Sequence, residues 1–200
     1  MAKIKLTKNE LKKQKDALKM YQRYLPTLML KKQQLQMEIR NTENRIRVLM
    51  EEKNRVNEQF KSWIAVFGEE GYFTPELLSV TSIHVDSGNI AGVEIPVFKG
   101  AEFQVQPYDV LRTPLWIDTA VERMRQVLLL DLEAKTLEEQ QRRLERELRT
   151  TTQRVNLFEK VKIPETKSNI KKIRVYLGDQ QTAAVVRGKI AKRGMERAAQ

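Results

Sequence analysis

The sequence predicts an all-α-dominated fold: a long antiparallel two-helix left-handed coiled coil with a small central β-hairpin insertion. Three observations lead there. Apolar residues recur every seven positions from Leu11 to Phe67, the same spacing returns from Leu130 to Phe158, and a β-branched, turn-rich stretch separates the two. A period of 3.5 held this long makes each seam residue a knob that needs a facing helix, and a helix over Leu11 to Phe67 would be on the order of 85 Å long, too long for the core of a compact domain.

The first helix is read from its seam. Leu11, Leu18, Leu25, Lys32, Ile39, Ile46, Lys53, Phe60 and Phe67 hold one heptad position. Gln14, Tyr21, Leu28, Leu35, Thr42, Leu49, Val56 and Trp63 hold the other. Lys32 and Lys53 interrupt the apolar stripe, and two readings stand for them: buried polar groups that specify register, or side chains that snorkel outward. Thr7 with Glu10 fits a capping box, so the helix starts near Lys8. Pro26 removes one hydrogen bond, yet the heptad phase is the same on both sides, so a bend is expected there and not a break. Gly68 and Gly71 terminate the pattern.

The connector begins with Thr74-Pro75-Glu76, a cap followed by proline, opening a short helical turn through Leu77 and Leu78. Val80 to Phe98 reads as a β-hairpin with its turn at Asp86-Ser87-Gly88-Asn89, and Ala101 to Gln106 as a possible further strand. A lone hairpin is marginal in water, so its apolar face is expected to pack on the coiled coil. Thr113-Pro114 then starts the second helix, whose seam runs Leu130, Ala134, Leu137, Gln141, Leu144, Leu148, Thr151, Val155 and Phe158. Pro164 interrupts it, and Ile170, Ile173, Leu177 and Ala184 resume the spacing. The chain thus divides into helix one (1–67), connector (68–112) and helix two (113–200). Placing Phe67 level with Ala120 makes facing residue numbers total about 187 to 190, which sets Pro26 opposite Pro164 and leaves about ten residues, near 190–200, past the start of helix one.

Charge supplies the functional clue. The net charge is +11, but residues 1–40 carry eleven basic against three acidic side chains and residues 160–200 the same, leaving 41–159 at −5. Folding the ends together makes one strongly basic tip. Its members are Lys3, Lys5, Lys8, Lys12 and Lys13 from the start, with Lys189, Lys192, Arg193 and Arg197 from the end. Cysteine is absent and His84 is the single histidine, so no cysteine or histidine metal cluster is available. Neither a phosphate-binding Gly-rich loop nor a catalytic cluster is legible, and no cofactor is expected. The longest greasy run, Val127 to Leu130, is too short to cross a bilayer, and the chain is read as soluble. Trp63 and Trp116 read as packing residues, His84 as an ordinary strand residue, and Arg142-Arg143 and Thr150-Thr151-Thr152 as solvated helix faces.

Four short motifs in order give a resemblance. They are Thr7-Lys8 with Leu11; Leu28 to Leu35, rich in leucine and lysine; Asn89-Ile90-Ala91-Gly92-Val93 with Pro96; and Arg154-Val155-Asn156 ahead of Ile163-Pro164. Together they resemble the D subunit of the rotary V-type (A/V-type) ATPase, the central rotor shaft. Pro26 and the alanine-rich end, Ala183-Ala184 and Ala198-Ala199, depart from that family's pattern. The resemblance implies a non-catalytic, cytoplasmic component, monomeric within its complex. It would transmit torque between ATP hydrolysis or synthesis and ion transport, with the basic tip in the ring of catalytic A and B subunits. It implies the small F subunit on the side of the shaft and the C subunit at the hairpin end. Hairpin residues Ile83, Val85, Asn89, Ile90, Val93 and Ile95 would regulate ATPase activity or grip a neighbour, as the resemblance implies, or merely cover the closed end. The competing reading from charge alone is a basic coiled-coil nucleic-acid-binding or scaffold protein, although the termini lack interleaved aromatics for base stacking.

Overall fold

The seven-residue clock becomes burial. The computed structural model describes residues 4–61, 77–108, 113–114 and 116–198. The elements are α1 (Lys8–Lys61), β1 (Leu78–Ile90), β2 (Val93–Val105), α2 (Trp116–Asn156), a six-residue π turn (Leu157–Lys162) and α3 (Ile163–Ala198). Each seam residue of the first helix from Leu11 to Val56 is buried or half-buried, including Lys32, Thr42 and Lys53, as is each seam residue from Leu130 to Phe158. Lys3, Trp63, Phe67, Gly68, Gly71 and Thr74-Pro75-Glu76 lie outside the described residues, as does the side chain of Phe60.

At the start of α1 the Thr7 hydroxyl accepts from the Glu10 amide at 3.3 Å and the Thr7 carbonyl accepts from the Leu11 amide at 3.0 Å. Only half of the expected box forms, because the Glu10 carboxylate accepts from Gln14 Nε2 at 2.9 Å instead. The helix runs through Pro26 as one element, 54 residues in all.

The chain forms two compact units, Met1–Lys31 with Thr150–Gln200, and Lys32–Arg149. In the second, Leu35 and Ile39 pack on Leu144 and Leu148, Arg45 meets Glu133 at 3.5 Å, and Lys53 meets Asp131 at 2.5 Å. These contacts between residues far apart in the chain establish the antiparallel pairing. They also correct the register. Arg45 with Glu133 totals 178, Leu35 with Leu144 totals 179, and Lys53 with Asp131 totals 184, below the expected 187 to 190. In the first unit the Tyr21 and Phe158 rings sit 5.1 Å apart, again totalling 179, so Pro26 and Pro164 are staggered and not level. A slip of one heptad leaves the apolar phase unchanged, so periodicity by itself does not choose between such registers.

Between α2 and α3 a helix disturbance sits at the π turn just before Pro164. Proline offers no N–H, and its ring crowds the carbonyl four residues back. The wider turn re-routes the ladder, with the Ile163 amide donating to the Phe158 carbonyl. The seam records the extra residue. Steps of four and three beyond Phe158 would bury 165, 169, 172 and 176; of these Asn169 is buried at 8% and the other three are exposed, while Thr166, Ile170 and Ile173, each one residue on, are 5%, 7% and 0% exposed and Leu177 is half-buried. From Gly178 to Arg197 each residue is exposed, Ala184 included. The uncovered end of α3 is therefore twice the expected length.

The connector differs from expectation at its turn. Asp86-Ser87-Gly88-Asn89 is strand, and the turn is Ala91-Gly92, with φ of 51° and 77°. Two consecutive positive φ values make the mirror-image turn whose twist matches a hairpin. Asn89 Oδ1 fixes it by accepting from the Gly92 amide at 3.0 Å. Gly88 stays in the strand because a Cβ there would lie 2.9 Å from Val97 Cγ2. Ala101 to Val105 continues β2, so the sheet has two strands, and Leu78 opens β1 instead of ending a helical turn.

Two substitutions check this account by urea unfolding. Leu144→Ala, at a fully buried site, is expected to cost about 3 kcal/mol. Gly92→Val, which forces a β-branched residue to positive φ, is expected to cost at least about 1 kcal/mol.

Candidate partner-binding surfaces

The hairpin is anchored along the helices at both of its ends. Near its base, Leu77 and Leu78 join Ile117 and Val121 in a core cluster with Phe103, Tyr108 and Trp116, and the Arg125 guanidinium lies 5.6 Å from the Phe103 ring centre. The Tyr108 hydroxyl donates to the Asp118 carboxylate, and that bond raises the phenol above its ordinary pKa. At its tip Ile95, 4% exposed, enters the cluster of Leu35, Ile39 and Leu144, with Ile90, Ala91, Val93 and Val97 against it. Two side chains of α2 grip the strand backbone there. Gln140 Nε2 donates to the Pro96 carbonyl, and Arg143 Nη1 donates to the Glu94 carbonyl at 3.3 Å.

The six hairpin residues singled out from sequence therefore separate. Ile90, Val93 and Ile95 are packing residues, Asn89 caps the turn, and Ile83 and Val85 are each 49% exposed. Arg143 is exposed, as a solvated face requires, and also serves the hairpin, whereas Thr151, expected on a solvated face, is 1% exposed because it also holds a seam position. Gln140 and Arg143 were invisible in the sequence, since helical polar residues next to a seam look alike whether they meet water or a strand. His84 lies on the exposed strand surface, with Nε2 3.1 Å from Glu102 Oε1. The Ser82 hydroxyl, at 2.9 Å, and then His84 hold the Glu102 carboxyl below the usual glutamate range.

Among the basic residues, Lys5, Lys8, Lys12 and Lys13 are exposed at and before the first turns of α1. Lys189, Lys192, Arg193 and Arg197 are exposed on α3, where Lys192 meets Glu196 at 3.8 Å. Lys189 lies twelve residues past Leu177, the last half-buried position of α3, hence about 18 Å farther along the helix. The two sets are consequently spaced along α3 and do not converge at one point. Val185, Val186, Ile190 and Met195, 49% to 74% exposed, share that uncovered end.

The seam carries one further charged feature. Lys53 does not snorkel; it reaches Asp131 on α2, and each side chain is 27% exposed. Lys53, and Lys135 at 2.9 Å, hold the Asp131 carboxyl below the usual aspartate range. Thr42, 4% exposed, donates to its own helix at the Glu38 carbonyl, 2.9 Å away. Among the described residues no group of acidic or histidine side chains could hold a metal ion, and no helix is long and apolar enough to cross a membrane.

A helix pair clasped by a hairpin in one unit, and an uncovered basic helix end in the other, are surfaces of the kind that components of larger assemblies carry. The family model for the ATP synthase D subunit matches residues 10–193. The V-type ATP synthase D subunit of Borreliella burgdorferi is 54% identical over 192 residues, 96% of this chain and 95% of that protein. The D-subunit proteins of Chlamydia felis and Chlamydia caviae are 37% and 35% identical over 195 residues, covering 96% of this chain and 94% of each protein. The chain belongs to the ATP synthase D-subunit family and is a central-stalk component of a rotary ATPase. The nucleic-acid-binding or scaffold alternative is not favoured.

Because the Asp131 pKa is depressed in the folded chain, its contribution to stability is present above the unfolded value and fades as pH falls through the folded one. Asp131→Asn is expected to lose about 1 kcal/mol near neutral pH and to flatten the acid limb below about pH 5, read by urea unfolding as pH is lowered.

Proposed function

We propose that this chain is the torque-transmitting shaft of its complex, turning within a ring of catalytic A and B subunits and passing rotation to the membrane rotor through the C subunit. The F subunit binds the side of the shaft. The chain itself contributes no catalytic residue and binds no cofactor. It works in the cytoplasm, peripheral to the membrane through the complex. In this reading residues 1–67 and 113–200 are the two strands of the shaft, and 68–112 is the connector that carries the hairpin.

The observation that supports it most is the uncovered end of α3. Twenty consecutive exposed residues, Gly178 to Arg197, carry both apolar and basic side chains, and an isolated helix has no reason to keep such a surface unless another protein surrounds it. Lys189, Lys192, Arg193 and Arg197, with Lys3, Lys5, Lys8, Lys12 and Lys13, are assigned to the catalytic ring. Ion pairs on exposed side chains are each worth about 0 to 1 kcal/mol, weak enough to exchange as the shaft passes successive subunits. Coupling follows if each shaft orientation stabilises a different conformation of the subunit it faces.

Changing Lys189, Lys192, Arg193 and Arg197 together to Glu tests this. Assembly with a separately purified catalytic hexamer is expected to weaken at least tenfold, with loss of shaft-dependent ATP hydrolysis and an unchanged far-UV circular dichroism spectrum. Undiminished assembly would refute the assignment of this end.

A further inference from the structure

The first unit carries an open groove of about 550 Å³ between α1 and α3, just past the π turn and Pro164. Its apolar lining includes Leu18, half-buried, and Ile170, 7% exposed. Lys15 and Lys19 stand on the α1 side, and Lys167, Lys171 and Arg174 on the α3 side. The lysines are thus one helical turn apart on each side, and the lining contains no acidic residue. Five cations around an apolar strip repel one another, and an anion between them would relieve that repulsion.

We infer that this groove is a docking site for an acidic amphipathic helix of a partner protein. Two helices side by side leave a furrow shaped for a third. From Lys15 to Gln22 the groove runs about 10 Å along α1, two turns of a helix. Apolar residues spaced three and four apart would cover Leu18 and Val175, the latter 57% exposed, while carboxylates on both flanks meet the lysines of the two sides. A polyphosphate or nucleic-acid strand would satisfy the charges yet leave the apolar strip wet, so the combination selects a peptide with both features. The inference is independent of the role given to Lys189 through Arg197, and its failure would leave the hexamer measurement unaffected.

The test uses the free full-length chain and a synthetic helical peptide with leucines on one face and glutamates on both flanks. The control is a scrambled peptide of the same composition. At physiological salt the amphipathic peptide is expected to bind at least tenfold more tightly by fluorescence anisotropy. Lys19→Glu with Lys171→Glu is expected to weaken it at least tenfold, whereas Lys189→Glu with Lys192→Glu, the same change in charge elsewhere, changes it less than twofold. Circular dichroism reads whether both variants stay folded; should the first lose helicity, Lys19→Gln with Lys171→Gln takes its place and is expected to weaken binding at least threefold. Equal binding of the scrambled peptide, equal weakening by both charge reversals, or displacement by an oligonucleotide of equal charge at equal concentration would overturn the inference.

Discussion

Two helices facing each other have a core one side chain thick, and every other feature of this chain answers to that thinness. Away from the hairpin nothing lies behind the seam to absorb an error in packing, so polar seam residues must be satisfied within a turn or directly across. Thr42 and Thr166 return their hydroxyls to carbonyls of their own helix, at 2.9 Å and 2.6 Å. Lys53 finds Asp131 across the seam. Such a pair costs more to break than it contributes against a well-packed apolar alternative, but it penalises a slipped register, which a purely apolar heptad tolerates.

The hairpin supplies the missing layer over part of the second unit. Ile95 adds an apolar side chain to the two-helix cluster, and Gln140 and Arg143 catch strand carbonyls that would otherwise face water. The tip is therefore anchored, as the base is, and is the reverse of a free arm. The middle of β1 stays uncovered, with Ile83 and Val85 each 49% exposed.

The two seams were legible because burial every 3.5 residues leaves a pattern in the letters themselves, and each seam position with a described side chain up to Phe158 is covered. The register was not, since a shift by one heptad superposes the same letters. The hairpin turn was misplaced because Asp86 to Asn89 has turn composition, whereas the deciding property is positive φ at Ala91 and Gly92, and alanine gives no sign of it. Gly88 misled for the same reason: its smallness answers crowding from Val97, not a turn. The basic ends were visible as composition, but their spacing along α3 depends on where α1 starts relative to its partner.

The π turn has a consequence for everything after it. One additional residue rotates the downstream helix by about 100° about its axis relative to an unbroken one, and that rotation favours Thr166, Ile170 and Ile173 as the inward set. The compass bearing of every later side chain, out to Arg197, is therefore set by six residues that bury none of their own number. A chain trimmed by a single residue between Leu157 and Lys162 would keep its composition and its helices while presenting a different side of α3 to whatever surrounds it.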